Sequence, residues 1–462
     1  MYTPPMHLGD LLAPDVLEIL REDPGAVRDA LAMMHPADIA EVASRLPRED
    51  RLRVIEQLDA AHLGGTLTYS DGDTLKLALN RLAPNVLAPA LDTVEADDAA
   101  SILSAIPEEK RAPILQKMQA GDAAAAGQLL RYEPGTAGRL MTSKFVRIRP
   151  DETVWEAIAS LRQIDPEVAT VANLYAVDEH DTLLGVVSLR HILPANPATT
   201  IGQLMTREVV TAKPDTPQDE VARIVSKYSF NALPVVDANH RILGIVTVDD
   251  VIDVLVANET ETLLRMGGVS AAADDEPWSR GLMNYFGTSI VRVVRMRLGW
   301  LLLLFVAETL TGSVLRFFEA ELAKVVALSF FIPLIIGTGG NAGSQTVSTI
   351  IRALALGQIK LRDAGRVLLR ETSSGLLLGT MLCIFAIVRT LLWKSGPQLS
   401  LVVGLTILAV CAWANIIGSV VPLIAERFHI DPTVVSAPLI TTLVDATGLA
   451  IYMLIAKAIL HL

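Results

Sequence analysis

The chain has 462 residues, 51% of them apolar and 5% aromatic, with a formal charge of −12, and that length leaves room for two or three domains. The average hides a split: 25 basic and 43 acidic residues lie in 1–280, against 14 and 8 in 281–462, a balance of −18 against +6. An acidic first part excludes a basic nucleic-acid footprint, and with no nucleophile–base pair, P-loop or metal-hydrolase spacing in the chain no enzyme is expected.

The opening "MYTPPMHLGDLL" has neither a basic n-region nor an apolar h-region, so no cleavable signal is expected and the acidic part is expected in the cytoplasm. Two repeats follow. "ADIAEVASRLPREDR" (37–51) returns sixty positions later as "DDAASILSAIPEEKR" (97–111), pairing Ser44 with Ser104, Pro47 with Pro107 and Arg51 with Arg111. Apolar residues recur at three and four, and each Pro ends one helix and opens the next, which predicts an α-helical superhelix over 1–133. Such stacks bind or brace rather than catalyse.

The second repeat has another period. "LMTSKFVRIRPDETVWEAIASLR" with "NLYAVDEHDTLLGVVSLRHIL" is echoed by "LMTREVVTAKPDTPQDEVARIVSKYSFNALPVVDANHRILGIVTVDDVIDVL". Each copy reads as a short strand, a helix, a hairpin of two strands and a second helix. The pair resembles tandem α/β CBS domains over 134–256, which implies a nucleotide- or ion-sensing disc. The second copy carries GxxTxxD as Gly244, Thr247 and Asp250, a pattern that holds a ribose in that family, so Thr247 and Asp250 are candidate contacts for an adenine nucleotide. In the first copy His191 stands where the acid would be. A helical run without Pro or Gly up to Gly267 then predicts a connecting helix and linker over 257–285.

Five apolar runs, at about 298–317, 325–353, 367–392, 399–425 and 434–460, are long enough to cross a bilayer within a pore domain over 286–462. The second and third exceed a straight crossing, so tilt or breaks are expected. Arg292, Arg295 and Arg297 precede the first run, and Arg352, Lys360, Arg362, Arg366 and Arg370 crowd the link between the second and third. By the positive-inside bias both regions are cytoplasmic, which leaves the C-terminus outside. Cys383 and Cys411 fall inside spans with no CxxC or Cys/His spacing, and read as small buried apolar residues.

The second run contains "PLIIGTGGNAGSQTVST" (333–349), where Asn341, Gln345 and Ser348 form a polar stripe beside Gly340. Irregular or polar backbone at membrane depth must face protein or water, and the glycines alone fit close helix packing as well as pore lining. In the fifth run Thr441, Thr442, Asp445 and Gly448 share one face. An acid at mid-span costs about 2.5–3.5 kcal/mol, which makes Asp445 a functional candidate. A carboxylate among hydroxyls is hard-oxygen chemistry, suited to Mg²⁺ or Ca²⁺ held largely through retained waters. Glu308, in the first run, fits a gate, a helix contact or an ion ligand.

The order of superhelix, CBS pair, connecting helix and five spans, with "YEPGTAGRLMT", "PLIIGTGGNAGSQTVSTIIRAL" and "PLITTLVDATGL", resembles the MgtE family of magnesium transporters and channels along nearly the whole chain. The resemblance implies a homodimer in the bacterial cytoplasmic (inner) membrane with a pore on its two-fold axis. Asp445 would hold a hydrated Mg²⁺ there, with the region around Asn341 lining the path. It also implies closure by cytoplasmic Mg²⁺ at acidic positions matched here by Asp97, Asp219, Asp250, Asp253 and Glu261. Ser101, Ser229, Asn258 and Thr262 stand where other members carry acids, which implies a weaker or shifted feedback. Two other readings stay open: a transporter of another divalent cation such as Co²⁺ or Mn²⁺, and a CBS-based Mg²⁺ sensor that does not conduct.

Overall fold

The structure is a computed structural model that describes residues 8–164, 168–269, 290–355, 357–432 and 435–462. It divides into two compact units, 1–259 with 274–288, and 260–273 with 289–462. The part of the expected linker over 270–285 lies outside the described residues, as do 433–434 at the start of the fifth run.

The first unit opens with α1 (Leu8–Glu22), α2 (Pro24–Leu31), α3 (Pro36–Arg45), α4 (Arg48–Gln57), α5 (Ala60–Tyr69), α6 (Gly72–Arg81), α7 (Pro84–Leu91), α8 (Ala96–Ser104), α9 (Glu108–Leu115) and α10 (Ala120–Leu129). The repeat is explained by what its matched residues do. Arg51 donates from Nη2 to the carbonyls of Ser44 and Leu46, at 3.0 and 3.2 Å, at the end of α3. Arg111 repeats this at the end of α8, donating to Leu103 and Ile106 at 3.0 and 3.1 Å. In both copies a Ser hydroxyl (Ser44, Ser104) donates to a carbonyl three residues back. Each arginine thus satisfies carbonyls that the helix end leaves free. Pro47 and Pro107 stand at the N-caps of α4 and α9, with Glu49, Asp50, Glu108 and Glu109 in the first turns, where the helix dipole favours acids.

Next come α11 (Ala137–Leu140), β1 (Arg147–Ile148), α12 (Val154–Leu161), β2 (Asn173–Val177), β3 (Leu183–Ser188), α13 (Leu189–Ile192), α14 (Ile201–Leu204), α15 (Gln218–Tyr228), β4 (Ala232–Val236), β5 (Ile242–Thr247) and α16 (Val248–Met266). In the first copy β1 runs parallel to β2, which pairs antiparallel with β3. In the second copy the hairpin β4–β5 is kept, but the leading strand shrinks to one parallel bridge, Ala212 to Val235. Pro214, two residues on, removes a ladder donor there. A capping box, Thr153 with Glu156, starts α12. One hydrophobic core runs from the superhelix into the second copy, through Leu140, Met141, Val221, Val225 and Val246, and another joins the two copies through Phe145, Tyr175, Ala232 and Ile245.

The second unit holds the end of α16, then α17 (Ile290–Phe317), α18 (Glu319–Lys324), α19 (Ile332–Ala355), α20 (Ala364–Leu392), α21 (Pro397–Arg427) and α22 (Ala437–Leu460), with a 3₁₀ turn over Val326–Phe331. Five of its helical segments are long and apolar enough to span a membrane. Here one expectation is corrected: the glycine-rich run is not a broken or irregular backbone but an uninterrupted helix, α19. Pro333 sits in its first turn, where no intrahelical donor is lost. The glycines serve close approach instead. A Cβ on Gly339 would stand 2.6 Å from Val410 Cγ1 and 2.8 Å from Val444 Cγ1, and one on Gly343 would stand 2.9 Å from Ile440 Cγ2. That is the small-residue packing of membrane helices, and it draws α19 onto α21 and α22.

Candidate ion path and carboxylates of the first unit

Asp445 lies on α22, 9% exposed, and its Oδ1 has no hydrogen-bond partner among the described residues. Gly340 makes this possible. A Cβ there would meet Thr441 Cγ2 at 2.8 Å and stand 3.6 Å from Asp445 Oδ1, so only glycine lets α19 lie against the carboxylate. Ser344 of α19 and Thr441 of α22 share a hydrogen bond of 3.1 Å beside it. At Gly448, one turn further along, a Cβ would make only ordinary contact with Val410. The ring of threonine hydroxyls expected around Asp445 does not form. Thr441 and Thr442 donate to the carbonyls of Ala437 and Pro438, one turn back in their own helix, as hydroxyls in membrane helices commonly do.

Asn341 and Gln345 of α19 are exposed. Glu308 of α17 is also exposed, and it stands within electrostatic reach of Asp445. Its weight was hard to read from spacing, because α17 and α22 are joined only by the fold.

In the first unit, Asp97 on α8 is 5% exposed with Oδ1 unpartnered among the described residues. Burial first, then the charges of Asp250, Asp98 and Glu95, hold its carboxyl well above the ordinary 3.8. The sequence reading missed Arg139, inside "YEPGTAGRLMT". It is 1% exposed, donates from Nη2 to Ala100 O of α8 at 2.6 Å, and is pushed down to about 10 by burial and by Arg111, with Asp97 opposing. The other acids are spread along α15 and α16. Asp219 accepts from Asn258 Nδ2 at 2.8 Å, Asp250 accepts from Thr247 Oγ1 at 2.8 Å, Asp253 is exposed, and Glu261 meets the guanidinium of Arg265. Among the described residues no three His, Cys, Asp or Glu side chains converge on one point. The buried, unpartnered oxygens of Asp97 and Asp445 are nonetheless the donor type a hard divalent cation takes.

A family described as a divalent cation transporter matches 332–455, the MgtE intracellular N domain matches 34–135, and the CBS domain matches 137–197 and 201–257. The magnesium transporter MgtE of Thermus thermophilus is 37% identical over 97% of this chain and 99% of its own length. This chain belongs to the MgtE family. The Bacillus subtilis magnesium transporter MgtE is 30% identical over 96% of the chain and 97% of its own. A crystal structure of the cytosolic domain of the Mg²⁺ channel MgtE in complex with ATP matches with 36% identity and a TM-score of 0.50, over 53% of this chain and 100% of its own. The MgtE family is one of transporters, not of enzymes, as the absence of catalytic spacing led one to expect. Its architecture of helical N domain, CBS pair and membrane helices is the one read from the sequence.

Proposed function

We propose that this chain conducts Mg²⁺ across the bacterial cytoplasmic membrane as a homodimer, on a path that passes Asp445. The observation that carries this reading is the buried Asp445 Oδ1, which has no hydrogen-bond partner among the described residues where Gly340 brings α19 against α22. A mid-span carboxylate without a partner is costly unless an ion or water meets it. Asn341, Gln345 and Glu308 support a second copy, since lipid cannot satisfy their exposed polar atoms whereas a water-lined path between protomers does.

Asp97, Asp219, Asp250, Asp253 and Glu261 form the regulatory acids of this reading. Mg²⁺ on the cytoplasmic side neutralises them and closes the path, so rising internal Mg²⁺ limits its own entry. An adenine nucleotide occupies the second CBS copy at Thr247 and Asp250, a role supported by the ATP complex of the similar channel domain. The N-terminus lies in the cytoplasm and the C-terminus outside. This is supported by the contact of Arg265, on α16, with Asp431 in the link between α21 and α22.

The test is Mg²⁺ entry into proteoliposomes loaded with a Mg²⁺-sensitive dye, with internal Mg²⁺ kept low. Wild-type protein is expected to conduct, and Asp445→Ala and Asp445→Asn to lose flux while remaining dimeric. Normal flux in either variant would remove the site. Flux of Co²⁺ or Mn²⁺ but not Mg²⁺ would replace the cargo, and no flux of any ion from folded wild-type dimer would favour a sensor.

A further inference from the structure

Two side-chain contacts tie the end of α16 to the segment that leads into α22. In the first, Arg265 divides its guanidinium between two acids: Nη2 donates to Glu261 Oε1, one turn back in α16, and Nη1 donates to Asp431 Oδ2, just before α22. In the second, Gly268 closes α16 with a φ of +72° and lies under the indole of Trp300, closer than any Cβ could approach. The indole Nε1 of Trp300 then donates to Ser436 Oγ at 3.0 Å. Ser436 is fully buried, and the same oxygen caps α22 by accepting from Leu439 N at 3.4 Å.

We propose that Arg265 is a resident cation at this junction, so that the end of α16 stays fastened to the head of α22 when no divalent ion lies between Glu261 and Asp431. Two carboxylates brought together need a positive charge between them. A planar guanidinium with two free edges serves both at once. Arg265 and Trp300 are therefore positioning residues for α22, acting on Asp445 through the helix that carries it. Glu261, a regulatory acid of the reading above, accepts from Arg265 of its own helix when no Mg²⁺ is bound. The three side chains are 37–43% exposed, so solvent screens the link and its effect is moderate.

The experiment is hydrogen–deuterium exchange of the full-length protein in lipid nanodiscs, in EDTA and in excess Mg²⁺, following peptides over 261–268 and 428–440. The wild type should stay protected in EDTA. Arg265→Gln should exchange about three- to fivefold faster in EDTA, the range of a partly screened ion pair, and recover protection in Mg²⁺, which then bridges the two acids. The charge-swapped pair Arg265→Asp with Asp431→Arg should regain wild-type protection in EDTA, a rescue that a purely steric role for Arg265 would not give. Equal exchange of wild type and Arg265→Gln in EDTA would overturn the proposal. So would loss of wild-type protection on chelation alone, or failure of the folded swap to protect. Exchange does not depend on flux, so these outcomes stand apart from whether the chain conducts Mg²⁺. The consequence for transport rests on the proposed function: Arg265→Gln should raise the internal Mg²⁺ needed for half-inhibition by about threefold.

Discussion

A buried carboxylate keeps much of its desolvation cost in the folded state, and Asp97, whose Oδ1 has no hydrogen-bond partner among the described residues, shows it openly. Its folded carboxyl lies well above 3.8, through burial first and the charges of Asp250, Asp98 and Glu95 after it. The folded chain thus holds this proton more tightly than the unfolded chain does. The stability it contributes is complete below about pH 4 and is lost as the pH rises through the raised folded value. Above that window the ionised group burdens the fold to the extent that Arg139, within its electrostatic reach, and any bound cation do not offset it. Asp97→Asn is therefore expected to raise Tm in EDTA at about pH 7.5, by about 2–6 °C for a unit of this size, with a smaller gain at low pH. Mg²⁺ should then stabilise the wild type more than the variant. Scanning calorimetry across pH, with and without Mg²⁺, measures both. An unchanged Tm near neutral pH would mean that Asp97 is already neutralised within the protein.

At the scale of the element, α19 shows how a glycine's meaning depends on what it faces. Gly340 faces Thr441 and Asp445, whereas a Cβ on Gly337, one turn earlier, would meet nothing within 4 Å. Gly340→Ala must push α19 from α22, an overpacking cost of about 1–3 kcal/mol. Its Mg²⁺ flux is expected to fall at least tenfold, about what 1.4 kcal/mol at the site would give. Gly337→Ala should leave both flux and Tm near wild type, and equal effects of the two would remove the packing argument. The same contrast marks what the sequence made legible. The superhelix was readable because Ser44, Arg51, Ser104 and Arg111 close helix ends at a fixed period, on carbonyls at most eight residues away. The five long apolar helices, and the burial of Asp445 in one of them, were readable because composition and an isolated acid in an apolar run are conspicuous. The irregular reading of α19 failed because glycine signals both breakage and close approach, and only the neighbours at Val410, Thr441 and Val444 decide between them. Arg139 met Ala100 across 39 positions, Trp300 met Ser436 across 136 and Arg265 met Asp431 across 166, so nothing local announced them.

Over the whole molecule the question is how acidic charge in 1–280 acts on flux through 290–462. Diffuse repulsion among 43 acids would be screened by any salt, since the Debye length shrinks from about 8 Å at physiological strength to about 3 Å at 1 M. Neutralisation at buried positions is different, because Asp97 at 5% exposure lies where mobile monovalent ions screen poorly. The proposed feedback should therefore survive high KCl. Internal Mg²⁺ is expected to inhibit flux with its half-inhibiting concentration raised less than about threefold by KCl, while Asp97→Asn with Asp250→Asn raises it by about tenfold or more, the scale of losing two charge-assisted contacts. Deleting 1–132 should abolish inhibition altogether. It also strips the core that the superhelix shares with Leu140, Met141 and Val221, so this variant should unfold at lower temperature as well. The paired aspartate variant is the sharper probe, because it removes the charge and leaves that core in place. Inhibition that disappears in KCl with the aspartates intact would assign control to the diffuse surface charge instead.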